Sequence, residues 1–172
     1  MAGCRTSMEI GLISVAISCI IGVVIGAIAG FYGGITDNLF MRFIDVLMAI
    51  PNTLLGISIV AALGNSIPNL IIALSIGSIA GYARVVRVSV LSTKGTEYVE
   101  AAYATGASDF RIIFKYILPN CLAPIIVQAT MSVATTIMAA TGLSFLGLGV
   151  PAPTPEWGAM ASSSRAYIRD YW

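Results

Sequence analysis

Four long apolar runs dominate the chain, and one amphipathic, charge-bearing segment interrupts them between Glu97 and Asn120. Runs of about eighteen or more nearly uncharged residues predict membrane-spanning helices, here over residues 10–31, 38–63, 70–90 and 119–149. The first carries Ser14, Ser18, Gly22, Gly26, Gly30 and Gly34, small residues at every fourth position. That spacing lets another helix approach closely, replacing the hydrophobic drive that lipid removes. Gly33-Gly34 followed by Thr36-Asp37 predicts a short turn and a helix start.

In the second run, Arg42 and Asp45 share one face near the cytoplasmic end, where the pair costs less in lipid than either charge alone. Pro51 removes a backbone donor and forces a kink or break. A break in lipid needs neighbours or a water-filled cavity to satisfy the freed backbone. Pro51 and Asn52 are therefore candidates for a translocation path, with a merely structural kink as the alternative. The turn from Gly64 to Asn69 leads into the third run, where Gly77 and Gly81 are expected to form another close-packing pair. In the fourth, Gln128, Ser132, Thr135 and Thr136 line one face. That stripe either lines a polar path or bonds to neighbouring helices.

The amphipathic segment reads as a helix–Gly–helix elbow facing water. Thr96 can cap its first helix and Glu97 complements the helix dipole. Val99, Ala102, Tyr103 and Gly106 form a narrow apolar stripe, and Gly106 suits the left-handed stop. Ser108 can cap a second short helix through Lys115, and Pro119 suits the first turn of a third.

Composition sharpens the picture. Of 172 residues, 58% are hydrophobic and 10% charged, against about 25% charged in soluble domains. One all-α membrane bundle is expected, with no room for a separate soluble domain. A net charge of +1 argues against a nucleic-acid partner. Cys4, Cys19 and Cys121 are an odd number, and Cys19 and Cys121 lie in apolar helix as small hydrophobes. There is no histidine and no Cys cluster with metal-ligand spacing, so no metal site is expected. Residues 1–30 do not read as a removed signal peptide, because the apolar run is long and carries the glycine ladder. No G-x-x-x-x-G-K-[ST] run occurs, so ATP hydrolysis is not expected of this chain. Nor can a nucleophile–base pairing be picked out; for an intramembrane enzyme, Asp45 and the Ser and Thr residues are the only raw material.

With the elbow inside, Arg42, Arg84, Arg87, Lys94, Arg111 and Lys115 are cytoplasmic and Arg5, Arg165 and Arg169 outside, in agreement with the positive-inside rule. The tail, 150–172, carries Pro151, Pro153 and Pro155 and is expected as an outward-facing loop with short turns. Trp157 and Trp172 suit the lipid headgroup level.

Glu100-Ala101-Ala102, then three residues, Gly106, and then Leu118-Pro119 resemble the "EAA" loop of ATP-binding cassette (ABC) importer permeases. An ordinary interfacial helix pair is the competing reading of the spacing alone. The resemblance implies a type I permease helix bundle whose loop, residues 91–118, docks on a separate ATPase subunit. It assigns the coupling surface to Glu100, Ala101, Ala102, Gly106, Ala107, Ser108, Asp109, Arg111, Leu118 and Pro119. Within it, Glu100 and Arg111 would supply polar contacts, while Ala101, Ala102 and Gly106 permit close approach. The family places an Ile two residues before the Leu, where this chain has Tyr116.

Further blocks resemble the C-type subunit of the dipeptide/oligopeptide/nickel branch. They include Gly3–Ser7, Ala29–Gly34, Met41-Arg42 through Asp45 to Pro51, Gly81–Arg84, Leu143–Gly149 and Pro153–Gly158. Departures fall at Pro151 and Ala152, and near Ala140, where many relatives carry an acid. The resemblance implies a multi-pass protein of the inner (cytoplasmic) membrane forming half of a pore in the lipid bilayer. Its partners would be ABC ATPase subunits that hold ATP and Mg, a second homologous permease and an extracytoplasmic solute-binding protein. Against the family's roughly six spans, the chain would start just before the second and stop before the last. That shortness favours the competing class, a small non-transporting bundle with an assembly or regulatory role.

Overall fold

The computed structural model describes residues 2–151, 153–164 and 167. Helices account for nearly all of them: α1 (Ala2–Tyr32), α2 (Gly34–Ala49), α3 (Asn52–Leu63), α4 (Ile67–Lys94), α5 (Glu97–Ala104), α6 (Asp109–Arg111), α7 (Leu122–Phe145) and α8 (Trp157–Ser164). There is no strand among the described residues. By length and composition, α1, α4 and the continuous helix Asp109–Phe145 can each cross a membrane, and α2 with α3 adds a fourth, interrupted candidate. The interruption falls at Ile50-Pro51, as the missing proline N–H requires.

The chain divides into two compact units. One comprises Ser18–Ala49 and Ile79–Thr130. Its organising contact is between α1 and α4. A Cβ added at Gly26 would collide with the Ala83 carbonyl oxygen and lie 2.8 Å from Val86 Cβ; at Gly30 it would lie 2.9 Å from the Arg87 carbonyl. Gly22 faces Tyr82 in the same way. Gly34 lies outside α1 at φ +56° with nothing within 4 Å, so it ends the ladder and takes no part in packing. Gly81 is not a close-packing position either: a Cβ there would stand 3.7 Å from Gln128, an ordinary contact. The approach relies on glycines of one helix only, set against the larger side chains of the other.

Charge completes this unit. Asp37, in the first turn of α2, accepts two hydrogen bonds of 2.5 Å from the Arg87 guanidinium of α4. Asp45 pairs with Arg84 of α4, not with Arg42 as expected from sequence. Side chains three apart on a helix can meet, but a guanidinium from the neighbouring helix reaches the carboxylate first. Lys94 donates to the Phe31 carbonyl at 2.5 Å, satisfying one of the acceptors that the end of α1 leaves open.

The other unit comprises Met1–Ile17, Ile50–Ser78 and Met131–Trp172. Ile10, Val60, Leu70, Leu74, Ala140 and Leu143 are buried together at its centre. Ser14 and Ser75 are also buried, and the Ser75 hydroxyl donates to the Ile71 carbonyl at 2.7 Å. A Cβ on Gly77 would sit 3.6 Å from Asn52, so this glycine gives ordinary contact and not helix-to-helix closure. Asn69 donates through Nδ2 to the carbonyls of Leu63 and Gly64 at 2.8 and 2.9 Å, capping the end of α3.

The tail differs from the loop expected. Trp157–Ser164 is a helix, because Glu156 caps it: its Oε2 accepts from the Ala159 N–H at 3.0 Å. Glu156 is 0% exposed. Ser7 of α1 donates to its Oε1, and the Trp157 N–H donates to Ser7, both at 3.3 Å. Trp157 is partly exposed, while Trp172, Arg165 and Arg169 lie outside the described residues.

Overpacking costs about 1–3 kcal/mol, so Gly26→Ala is expected to lower the melting temperature in detergent by several degrees. Gly95→Ala, at a glycine with open space around it, should leave it unchanged; equal melting curves would remove the close-approach argument. Asp37→Asn is expected to cost about 1–2 kcal/mol, since a charged hydrogen-bond pair is lost. The exchange Asp37→Arg with Arg87→Asp should recover part of that in denaturant titrations, and a neutral single variant would show the pair to be energetically idle.

Candidate functional site

The amphipathic segment forms the elbow. Thr96 has the extended backbone of an N-cap, φ −86° and ψ 148°, yet makes no side-chain cap. Its hydroxyl donates instead to the Thr93 carbonyl at 2.7 Å. Glu97 and Glu100 fill the first turn of α5, where negative charge suits the helix dipole. Gly106 stops the helix at φ +76°. The Ala107 N–H donates to the Ala102 carbonyl at 3.1 Å and the Gly106 N–H to the Tyr103 carbonyl at 2.9 Å. These two bonds make a Schellman cap, which favours glycine at the left-handed position.

Beyond the cap the chain re-enters helix at Asp109. Ser108 is extended there, also without a side-chain cap bond. Sequence predicts two further helices, one through Lys115 and one from Pro119. The structure has one continuous helix of 37 residues, Asp109–Phe145. Its turns widen to π over Ile112–Ile117 and tighten to 3₁₀ over Leu118–Cys121. The Leu118 N–H reaches back five residues to the Ile113 carbonyl. This rearrangement carries the hydrogen-bond ladder past Pro119, whose ring has no N–H to give and would crowd a regular turn.

One face of the elbow is fixed by burial. Val99, Ala102, Ile112, Ile113, Ile117 and Cys121 form a core with Ala27, Phe31, Val86 and Val90. Ala102 therefore holds the elbow to its own unit, and Ala107 and Leu118 pack partly buried against the same core. Glu100, Ala101, Gly106, Ser108, Asp109, Arg111 and Pro119 are exposed. Tyr103 leaves the expected apolar stripe and stacks on Phe31, ring centroids 6.3 Å apart. Burial, then the Asp109 carboxylate and Tyr32, push its phenol above the ordinary tyrosine range. Phe110 and Phe114 were not singled out from sequence, although their i, i+4 spacing is visible there. They pair at 4.4 Å and are 71% and 53% exposed.

The other unit holds a groove of about 280 Å³ lined by Asn52, Gly56, Gly77, Ser78, Thr135 and Thr136, among others. Three of the sequence-predicted path residues, Asn52, Thr135 and Thr136, thus meet on one surface. Pro51 precedes them at the N-cap of α3 but does not line the groove. Ser132 is buried, and Gln128 belongs to the other unit, beside Gly81. The apparent stripe splits along the helix axis and not around it: Gln128 and Ser132 precede Thr135 by about 10 and 5 Å of helix rise. Gly56 and Ser78 were missed; each lies on a predicted span within four residues of a residue already marked. No group of three or more His, Cys, Asp or Glu gathers as a metal site among the described residues.

Known proteins give this geometry a context. Residues 22–168 match the family described as binding-protein-dependent transport system inner membrane component. The di/tripeptide transport system permease protein DppC of Pseudomonas aeruginosa is 46% identical over 170 residues, 99% of this chain and 56% of its own length. The glutathione transport system permease protein GsiD of Pectobacterium atrosepticum is 42% identical over 166 residues, 96% of this chain and 55% of its own. The chain thus spans a little over half the length of these relatives. Among solved structures, an inward-facing form of the MetNI methionine ABC transporter aligns with TM-score 0.78 at 20% identity, covering 97% of this chain and 80% of the other. A second crystal form gives 0.70 at 19% identity over 96% and 88%. That likeness concerns the fold, and it agrees with the type I importer-permease bundle expected. With several apolar helices and a family match over most of its length, the chain is a multi-pass membrane protein belonging to the family of binding-protein-dependent transport inner membrane components.

Proposed function

We propose that this chain supplies the pore-forming and coupling part of a peptide importer permease in the inner membrane. The observation that carries the reading is the elbow: a helix locked by a Schellman cap at Gly106, with its buried face fixed and Glu100, Asp109 and Arg111 left exposed. Similarity to peptide and glutathione permeases across nearly all of the chain supports a peptide cargo.

A coupling element must transmit displacement without slipping. The cap prevents α5 from extending, and the buried Val99 and Ala102 keep it from rolling. Separate ATPase subunits, holding ATP and Mg, would close and open on the exposed side of the elbow. The charges there would give the contact direction, while the exposed Ala101 would let the surfaces close up. Movement of the elbow would then switch the pore between outward and inward access. A second homologous permease would complete the pore, and an extracytoplasmic binding protein would deliver cargo. ATP hydrolysis is assigned to the partner subunits and no catalysis to this chain.

Glu100→Lys and Gly106→Asp, placed in the full-length permease, are expected to reduce ATP-driven peptide uptake by about ten-fold or more, as loss of one charged contact implies. Membrane insertion, read by protease protection, should be unchanged, and ATPase subunits should no longer co-purify through residues 96–117. Normal uptake by the double variant would remove the coupling role.

A further inference from the structure

A second hollow lies within the elbow-bearing unit, between the last turns of α1 and the helix that leaves the elbow. It measures about 390 Å³ and is walled by Val24, Ala27 and Ile28 on one side and by Phe110, Phe114 and Leu118 on the other. The Tyr32 ring stands at it too, and its phenol is the one polar side-chain group among the described lining residues. Phe110 and Phe114 pair with each other and still stay open to the surroundings. A flat apolar wall in lipid needs no further cover, but a concave one loses dispersion contacts unless something slim fills it. A helix is about 10 Å across, so this volume would take only about one turn of one. A single hydrocarbon chain is slimmer and can lie along it.

Charge indicates which lipid brings that chain. Among the basic residues of this unit, Arg84 and Arg87 are matched by Asp45 and Asp37, and Lys94 donates to the Phe31 carbonyl. Arg111 and Lys115, four residues apart on the helix that walls the hollow, are exposed and in no ion pair among the described residues. The Asp109 carboxylate acts on Tyr103, and Arg111 belongs to the proposed ATPase contact. Lys115 directly follows Phe114, and its ammonium stands 5.9 Å from the centre of the Tyr116 ring with no carboxylate to meet it. The positive-inside rule puts these residues at the inner face, where the leaflet carries anionic lipid. Lysine binds phosphate as a point charge, without demanding a fixed geometry.

We propose that this hollow seats one acyl chain of an anionic phospholipid of the inner leaflet, with its phosphate at Lys115. The bound lipid braces the elbow-bearing helix against α1. The assignment rests on the elbow facing the cytoplasm and is independent of what the importer carries.

The test uses the full-length permease assembled with its ATPase and second permease, purified in detergent and titrated with lipid under native mass spectrometry. The probes are phosphatidylglycerol and phosphatidylcholine with the same chains, and glycerol phosphate as a headgroup without chains. Wild-type protein should hold phosphatidylglycerol about five-fold more tightly than phosphatidylcholine, as one lysine beside a phosphate implies. Lys115→Gln should abolish that preference and Lys115→Arg should keep it. Val24→Trp, which fills the hollow, should weaken retention of both lipids. Val127→Trp, at an exposed position outside it, should change neither, and glycerol phosphate should not displace the bound lipid. Lys115 is exposed, so its variants report even where Val24→Trp fails to assemble. Equal retention of the two lipids by wild type, or an unchanged preference in Lys115→Gln, overturns the site. So does equal retention by Val24→Trp and wild type. Peptide uptake by the same assembly, read separately in liposomes, decides the importer reading whichever way the lipid result falls.

Discussion

Everything in the elbow-bearing unit hangs on how closely two backbones approach. Where α1 meets α4, Gly22, Gly26 and Gly30 bring main chain against main chain, with carbonyl oxygens of Ala83 and Arg87 where side-chain carbons would otherwise be. In lipid there is no expulsion of water to hold helices together, so attraction must come from dispersion at short range and from polar links. Closeness provides the first. The Asp37–Arg87 pair and the Lys94 bond to the end of α1 provide the second. Because the glycine face is on α1 alone, α4 is free to carry larger residues such as Tyr82, Val86 and Val90, which are buried.

Upon that frame the elbow is assembled from local rules. A short helix would fray by itself, and eight residues of α5 are below the length that stands alone in water. Two things hold it: Val99 and Ala102 enter the core shared with Phe31, Val86 and Val90, and Gly106 closes its end. The same capping device recurs at the end of α7. There Gly147 sits at φ +82°, with the Leu148 N–H bonded to the Leu143 carbonyl at 2.9 Å and the Gly147 N–H to Ser144 at 3.0 Å. In both places a glycine at positive φ terminates a helix and lets the chain change direction.

The legible parts of this molecule are those governed by local sequence. Hydropathy locates the apolar helices, while the proline break at Pro51 and the glycine stop at Gly106 follow from those residues' own backbone chemistry. The ladder from Ser14 to Gly30 is legible because its period matches a helix face. What escapes is set by a partner distant in sequence. Asp45 chooses Arg84 over Arg42 because the neighbouring helix brings a guanidinium within reach, and no spacing rule announces that. Glu156 caps the last helix locally, but its second carboxylate oxygen accepts from Ser7, 149 residues earlier, a contact no local pattern predicts. Of the polar residues on the fourth run, Thr135 and Thr136 line the groove and Gln128 and Ser132 do not, a difference of height along the helix that no periodicity announces.

The widened turns at Ile112–Ile117 have a consequence for how the elbow is seated. A wide turn advances less around the axis per residue than an α turn, and a 3₁₀ turn advances more. The tight turn over Leu118–Cys121 therefore takes back most of the lag that the wide one introduces. Both Ile117 and Cys121 can then face the core that Val99 and Ala102 enter. Losing a single amino acid between Gly106 and Pro119 would leave the tight turn uncompensated and turn Cys121 away from that core. The number of residues between the glycine stop and the proline is in this sense an angular setting, written in chain length.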